Sequence, residues 1–553
     1  MNMYTLSSTH DRLSFFKTDR FNNYCYLAVF ALLSILLILP LWTITYLPLG
    51  DLPDHAGQLH AILNYSEYQR DYRINWFTPY LVGYSISLFF GLFFSATTAL
   101  KITYTLSVLA IPVATASLAR ALGLNKFWII PCFATAYSFA FFWGFFSFVV
   151  ATPMTIAFFT FCVIYSQRPR DAKMFALAAL FSTLLFFAHA MAWAFAMVIA
   201  ASIIFINNNI KNTKQKLLPF VVLLPLVFYW VSVNGAAQAV QTSSVEFGNY
   251  LGHVFTRLSS ELSYITGQFN ERTTKGEHGQ RAAEMLGFSI GRAPYSDFVA
   301  ITLLLLAWPY MVGAKLTRNW KRWLPFLGVV GLYMVVPYWI FDTAYVNTRF
   351  AAFLLPLSLF LFEVNTSKSI FQRYGLIKGS FRCILGVAVT ALVLVGNYAI
   401  FASFKKNDQD FKAILEKMEP KKTVLALMIN QESKLTFSPP YMHYGSYYQA
   451  EKGGVVAPNF SHDPSAHNVP LRFRGTPWVV PDTWLPDNFD WVKHEGARYD
   501  YFLVRSDKLK DYLFVGGGGR VVLEARQGSW LLYKNNKIVE PIAPVDATLQ
   551  PIP

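Results

Sequence analysis

The sequence predicts a polytopic α-helical membrane protein of about eleven spans, closed by a C-terminal domain of α/β or α+β class. Three observations predict it. Apolar stretches long enough to cross a bilayer recur between residues 24 and 403. Only 14% of the residues are charged, where soluble domains carry about 25%. The basic residues gather in short segments between the apolar stretches, the pattern of cytoplasmic loops.

In chain order, the expected spans are 24–46, 100–119, 127–142, 147–166, 174–190, 191–207, 217–235, 297–314, 323–341, 346–364 and 383–403. The first follows a polar stretch with no small-residue cleavage site, so it reads as a retained helix rather than a signal peptide. Basic clusters at Arg12/Lys17/Arg20, Arg120/Lys126, Arg168/Arg170/Lys173, Lys211/Lys214/Lys216, Lys315–Arg322 and Lys368–Arg382 each assign a cytoplasmic side. Residue 51 is then outside and Arg120 inside, so an odd number of crossings separates them. Residues 79–97, broken by Gly83, Ser85, Ser87, Gly91 and Ser95, are placed flat or re-entrant on the outer face, and 100–119 crosses. The expected result is a plasma membrane protein (inner membrane in a bacterium) with a cytoplasmic N-terminus. It divides into residues 1–403, with outer loops 47–98 and 236–296, and an extracytoplasmic domain, 404–553.

In that last domain, Phe411, Ile414, Leu415 and Met418 have helical spacing. Thr423–Met428, Tyr501–Val504, Val521–Ala525 and Ser529–Tyr533 read as strands, with Gly453-Gly454 and Gly516–Gly519 as turns. The net charge of +15 does not indicate a nucleic-acid partner. Residues 404–553 hold 19 basic and 17 acidic side chains, so the excess lies in the membrane loops. Cys25, Cys132, Cys162 and Cys383 fall within apolar spans, which argues against disulfides and cysteine metal sites.

The residues with chemistry begin directly after the first span, at Gly50-Asp51-Leu52-Pro53-Asp54-His55. Helical spacing of Ala56, Leu59, Ile62 and Leu63 predicts an amphipathic helix lying in the membrane interface. Asp51 or Asp54 could simply cap that helix. Two acids and an imidazole within five residues also suit deprotonating or orienting an acceptor nucleophile, or holding a divalent cation such as Mg²⁺ or Mn²⁺ through oxygen ligands. Arg349, in Asp342-Thr343-Ala344-Tyr345-Val346-Asn347-Thr348-Arg349-Phe350, sits about one turn inside the outer end of a span, where ionisable groups are functional candidates. Arginine keeps its charge and matches phosphate; snorkelling or pairing with Asp342 is the structural alternative.

His189 lies at a predicted outer turn, available to a phosphate or a hydroxyl, or satisfied by backbone. Glu246 belongs to the charged loop 236–296, which reads as a cover over substrate. Tyr441–Tyr448, with Trp478 and Trp484, could stack sugar rings or pack on the membrane part. His462, Asp463 and His467 have loose metal-like spacing. No phosphate-cradling loop, dinucleotide glycine fingerprint or His-Glu-x-x-His motif occurs. No cytoplasmic loop is large enough for a nucleotide sugar, so a donor would be lipid-borne and used outside.

This layout resembles the GT-C superfamily of membrane glycosyltransferases. The resemblance rests on Asp51 and Asp54 after the first span, on the surface helices that follow, on the long outer loop between spans seven and eight, and on the closing soluble domain. It implies a polyprenyl-phosphate-linked sugar donor, a glycan, lipid or protein acceptor, surrounding membrane lipids, and one-step inverting transfer on the outer face. It also implies a first-loop aspartate, Asp54 or Asp51 with Asp54 in support, acting on the acceptor or a metal. Arg349 would contact the donor phosphate, with His55, His189, Tyr345 and Glu246 as further substrate-binding candidates. The family often adds a later acidic residue, for which Glu246, Glu261, Glu284 and Asp342 compete. His55 is not a general family feature. A transporter or flippase of lipid-linked glycans, a non-catalytic assembly subunit, and a headgroup or acyl transferase are the alternatives.

Overall fold

The computed structural model describes residues 9–233, 296–336, 345–364, 370–433, 435–436, 438–462 and 469–537. It is mostly helical, with a five-stranded sheet in the C-terminal part and two short strand pairs, one joining the first loop to that part and one pairing Lys315–Leu316 with Phe362–Glu363. Among the described residues four helices are long and apolar enough to cross a membrane: Asn23–Trp42, Ala96–Ala121, Phe146–Gln167 and Ile384–Lys417. A fifth candidate is the pair Ile210–Val221 and Leu224–Ser232, bent by 43°. Leu81–Gly91, Ala172–Ala188, Ala190–Ile206 and Thr348–Leu361 are apolar but shorter. Every expected span therefore holds helix, but not every one holds a helix of full spanning length. Segment 127–142 is the clearest difference, because Lys126–Tyr137 forms a 3-10 helix whose side chains from Trp128 to Tyr137 are buried inside the protein.

Polar side chains set the helix boundaries by accepting first-turn N–H groups. Ser95 Oγ accepts from Thr98, Asp171 Oδ1 from Met174, His189 Nδ1 from Ala192 and Asn209 Oδ1 from Asn212. Helix Ala96–Ala121 packs along Phe146–Gln167, which in turn packs on Ala190–Ile206. Leu81–Gly91, about 16 Å long, lies against the first two and is much shorter than the hydrocarbon layer.

The first-loop helix, Leu52–Leu63, departs from expectation. Its apolar stripe predicts a surface helix, yet ten of its residues from Leu52 to Ile62 are buried. The polar side is covered by the C-terminal helix Ser446–Lys452, which approaches so closely that Gly57 has the Gln449 side chain and the Ser446 carbonyl at 3.3–3.4 Å from a built Cβ. Pro53 stands at the second helical position, where its missing N–H leaves nothing unpaired.

The C-terminal part carries a mixed five-stranded sheet. With β1 as Tyr72–Ile74 in the first loop, the strands are β2 (Thr423–Met428), β3 (Val455–Ala457), β4 (Leu471–Phe473), β5 (Tyr501–Arg505), β6 (Val521–Gln527) and β7 (Trp530–Asn535). The sheet order is β3-β2-β5-β7-β6, with β2 parallel to β3 and β5, and β7 antiparallel to β5 and β6. Alternation divides its faces. Val424, Leu503, Leu532 and Trp530 join the core shared with the helices, while Leu425, Leu427, Phe502, Val504, Leu531 and Tyr533 form a second core on the other face.

Three contacts tie this part to the first loop. β1 pairs antiparallel with β4 in the register Tyr72↔Phe473, Arg73↔Arg472, Ile74↔Leu471. Asp408 accepts the N–H groups of Thr45 and Tyr46 at 2.9 and 2.7 Å. Tyr444 and Tyr447 donate their hydroxyls to the Tyr46 and Leu47 carbonyls. The Tyr441–Tyr448 aromatics are thus buried packing rather than open sugar platforms.

Candidate active site

Asp51 and Asp54 begin the first-loop helix, and their backbone is held by a neighbouring turn. The Asp51 N–H donates to the Trp143 carbonyl at 2.9 Å. Two glycines permit this approach: a Cβ on Gly50 would meet the Trp143 carbonyl at 2.9 Å, and one on Gly144 would meet Leu52 N at 2.6 Å. Gly144 also has φ +84°, a left-handed conformation that side chains with a Cβ disfavour.

Neither acid spends its side chain on the helix terminus. Asp51 caps no N–H with its carboxylate. Asp54 turns to the C-terminal part, where Oδ2 accepts the Phe460 N–H at 2.6 Å and Oδ1 accepts the Ser446 hydroxyl at 3.3 Å. Burial raises the Asp51 carboxyl to about 8; the Arg349 charge opposes this and the Asp54 charge adds to it. Burial also raises Asp54, to about 7, against the two hydrogen bonds that favour its anion. At neutral pH the pair accordingly holds a proton rather than two full charges.

His55 lies on the same helix but inside the fold. Its Nδ1 is 2.6 Å from the Tyr84 hydroxyl, and its ring packs among Tyr84, Phe146 and Phe460. Burial, with the neighbouring His443, lowers it to about 3, so it is a neutral imidazole.

Arg349 is buried and approaches from the segment after residue 345. Its Nε donates to the Tyr345 carbonyl at 3.2 Å and its guanidinium carbon lies 3.7 Å from the Phe145 ring centre. Tyr345 has φ +58°, an unusual backbone for a residue with a bulky side chain. Its ring meets Trp143 at 4.2 Å and Phe139 at 5.1 Å. Trp143 therefore touches both halves, binding Asp51 through its carbonyl and Tyr345 through its ring. His189 is within electrostatic reach of Arg349 and sits edge-on to Tyr80 at 5.1 Å, while its Nδ1 caps a helix.

Asp51, Asp54 and His55 thus share the start of one helix, Tyr345 and Arg349 are linked to Asp51 through Trp143, and His189 packs on Tyr80 and Phe148. Glu246 lies outside the described residues, as do Glu261, Glu284, Asp342, Asp463 and His467. His462 is buried against Phe473 and Trp478. Among the described residues no group of three His, Cys, Asp or Glu is spaced to hold a metal ion. Asp54 already has two protein donors, so a divalent cation here would draw on Asp51 and on the remaining lone pairs of Asp54.

Sequence reasoning missed His443. Its Nε2 lies 3.8 Å from Asp51 Oδ1 and its Nδ1 4.0 Å from Asp54 Oδ2. Nearly four hundred residues separate it from both acids, and its own aromatic-rich stretch gave no hint of the partners.

No protein-family model and no curated relative matches the chain. Among solved structures it is similar to ArnT from Cupriavidus metallidurans bound to undecaprenyl phosphate, at 11% identity and TM-score 0.48, covering 92% of this chain and 97% of that one. It is also similar to the Archaeoglobus fulgidus oligosaccharyltransferase. The complex with Zn and sulfate aligns at 13% identity and TM-score 0.41, covering 92% and 73% of the two chains. The apo form aligns at 13% identity and TM-score 0.40, covering 87% and 70%. Scores below 0.5 at such identities leave the functional reading to rest on the site itself.

Proposed function

We propose that this chain is a GT-C-type glycosyltransferase of the plasma membrane. It moves a sugar from a polyprenyl-phosphate donor to an envelope glycan, lipid or protein acceptor on the outer face. One observation carries the reading: a buried carboxylate whose side chain is not used by its own helix, Asp51, lies within electrostatic reach of a buried guanidinium, Arg349, the two being linked through Trp143 and Tyr345.

Asp51 takes the proton of the acceptor hydroxyl, so that the oxygen gains a free lone pair as it attacks the anomeric carbon. The bond from that carbon to the donor phosphate oxygen breaks on the opposite face, which inverts the configuration. The departing lipid phosphate carries the electron pair away and is met by the Arg349 guanidinium, which its carbonyl and ring contacts hold in place before charge develops. Asp54 keeps the base oriented by fixing the first-loop helix to Ser446 and Phe460. Bound substrate excludes water, which strengthens both electrostatic contacts.

The test is transfer from a polyprenyl-phosphate sugar by the purified, reconstituted protein. Asp51→Asn and Arg349→Ala should each lower kcat by about 100-fold or more. Wild-type levels in both variants would remove the assignment. A wild type that exports lipid-linked glycan without transferring sugar would favour the transporter alternative.

A further inference from the structure

Among the described residues His443 is the histidine placed between the two first-loop acids. It is contributed by the stretch Ser438–Gly445, which is anchored from both ends: Ser438 Oγ donates to the Phe142 carbonyl, and Tyr444 Oη to the Tyr46 carbonyl. The side chain is 8% exposed. Its Nδ1 is buried and has no hydrogen-bond partner among the described residues. A buried nitrogen left unpaired is unfavourable, so its retention needs an explanation. Both imidazole nitrogens stop within about one ångström of hydrogen-bond length from a carboxylate oxygen. Contacts of this kind commonly shorten when substrate closes an active site.

We propose that His443 is a positioning residue that orders the acid pair, donating Nε2–H to Asp51 and accepting a proton from Asp54 at Nδ1. This rests on the reading of Asp51 as the base. The chain of groups has one direction. Protonated Asp54 fixes the tautomer that carries hydrogen on Nε2, and that hydrogen stabilises the Asp51 carboxylate when Asp51 ionises. Only one negative charge is then held between the two acids. The C-terminal part thereby completes the active site rather than merely covering it.

Burial raises both carboxyls and lowers His443 to about 4, so the ring is neutral and the two acids do not both ionise at neutral pH. The ionisable groups that act on the cluster are Asp51, Asp54 and His55 from the first-loop helix, Tyr84, which is hydrogen-bonded to His55, and Tyr104 and Arg349, which act electrostatically on Asp51.

The experiment is an infrared pH titration of the buried carboxyl bands in the full-length protein. Bands are assigned by their loss in Asp51→Asn and Asp54→Asn. Three proteins are compared: wild type, His443→Phe, which fills the space without a donor, and His443→Gln, which restores one donor and one acceptor. The Asp51 band should titrate at least one pH unit higher in the Phe variant and return toward wild type in the Gln variant. An Asp51 band at the same pH in all three overturns the proposal. The acid limb of kcat/KM should follow the band. A band that moves while the kinetic limb stays leaves the positioning role standing and removes Asp51 as the base, so the two failures are distinguishable.

Discussion

Asp51→Asn should stabilise the protein while removing its activity, and the gain should grow with pH. The Asp51 carboxyl is raised from 3.8 to about 8, chiefly by burial. A group held above its unfolded value contributes stability that is fully present below about 4 and is lost as pH rises toward 8. Each pH unit between the two values is worth about 1.4 kcal/mol. Between pH 5 and pH 7 the penalty on the native state therefore grows by at most about 2.5 kcal/mol, and by about 1–2 kcal/mol once relaxation around the buried charge is included. Asparagine does not titrate, so its fixed effects on packing and hydrogen bonding cancel from the comparison between pH values. In a chain of 553 residues, at about 2.1 cal/mol/K of unfolding entropy per residue, the difference corresponds to roughly 1–2 °C. The assay is thermal unfolding in detergent, followed by tryptophan fluorescence at one scan rate, at pH 5, 6, 7 and 8. The melting temperature of the variant minus that of the wild type should rise steadily across the series. A flat or falling difference would refute the burial of an ionising Asp51.

Two further outcomes follow from the same contacts. Gly144→Ala should place a Cβ 2.6 Å from Leu52 N in a left-handed backbone, costing about 2–4 kcal/mol; a variant that still folds should show the Asp51 shift as a roughly 100-fold loss of kcat with donor binding retained. Asp408→Ala orphans the N–H groups of Thr45 and Tyr46 and should lower stability by about 2–5 kcal/mol, with faster proteolysis between the first loop and the C-terminal part; unchanged protease resistance would show that this clamp is dispensable.

Periodicity made part of the C-terminal fold legible. Strand Thr423–Met428 was readable to the residue, and Phe411, Ile414 and Leu415 marked a helix whose buried face they form. Short elements such as Val455–Ala457 and Leu471–Phe473 were not, because three residues give too little pattern and their pairing depends on distant strands. The same limit explains the first-loop helix. Its stripe of Ala56, Leu59, Ile62 and Leu63 is real, but the neighbour covering its polar side begins at Ser446.

The sequence by itself determined that the chain is built of apolar helices, that its acids collect at Asp51 and Asp54, and that Arg349 stands at the end of an apolar segment. These are local properties, since hydropathy and charge are carried by neighbouring residues. Only the tertiary structure decided that Asp54 is bonded to Ser446 and Phe460, that Asp51 is left off its own helix terminus within electrostatic reach of Arg349, and that His443 lies between the acids. The physical reason is that a carboxylate's role depends on its burial and its partners, and these partners lie hundreds of residues away in sequence.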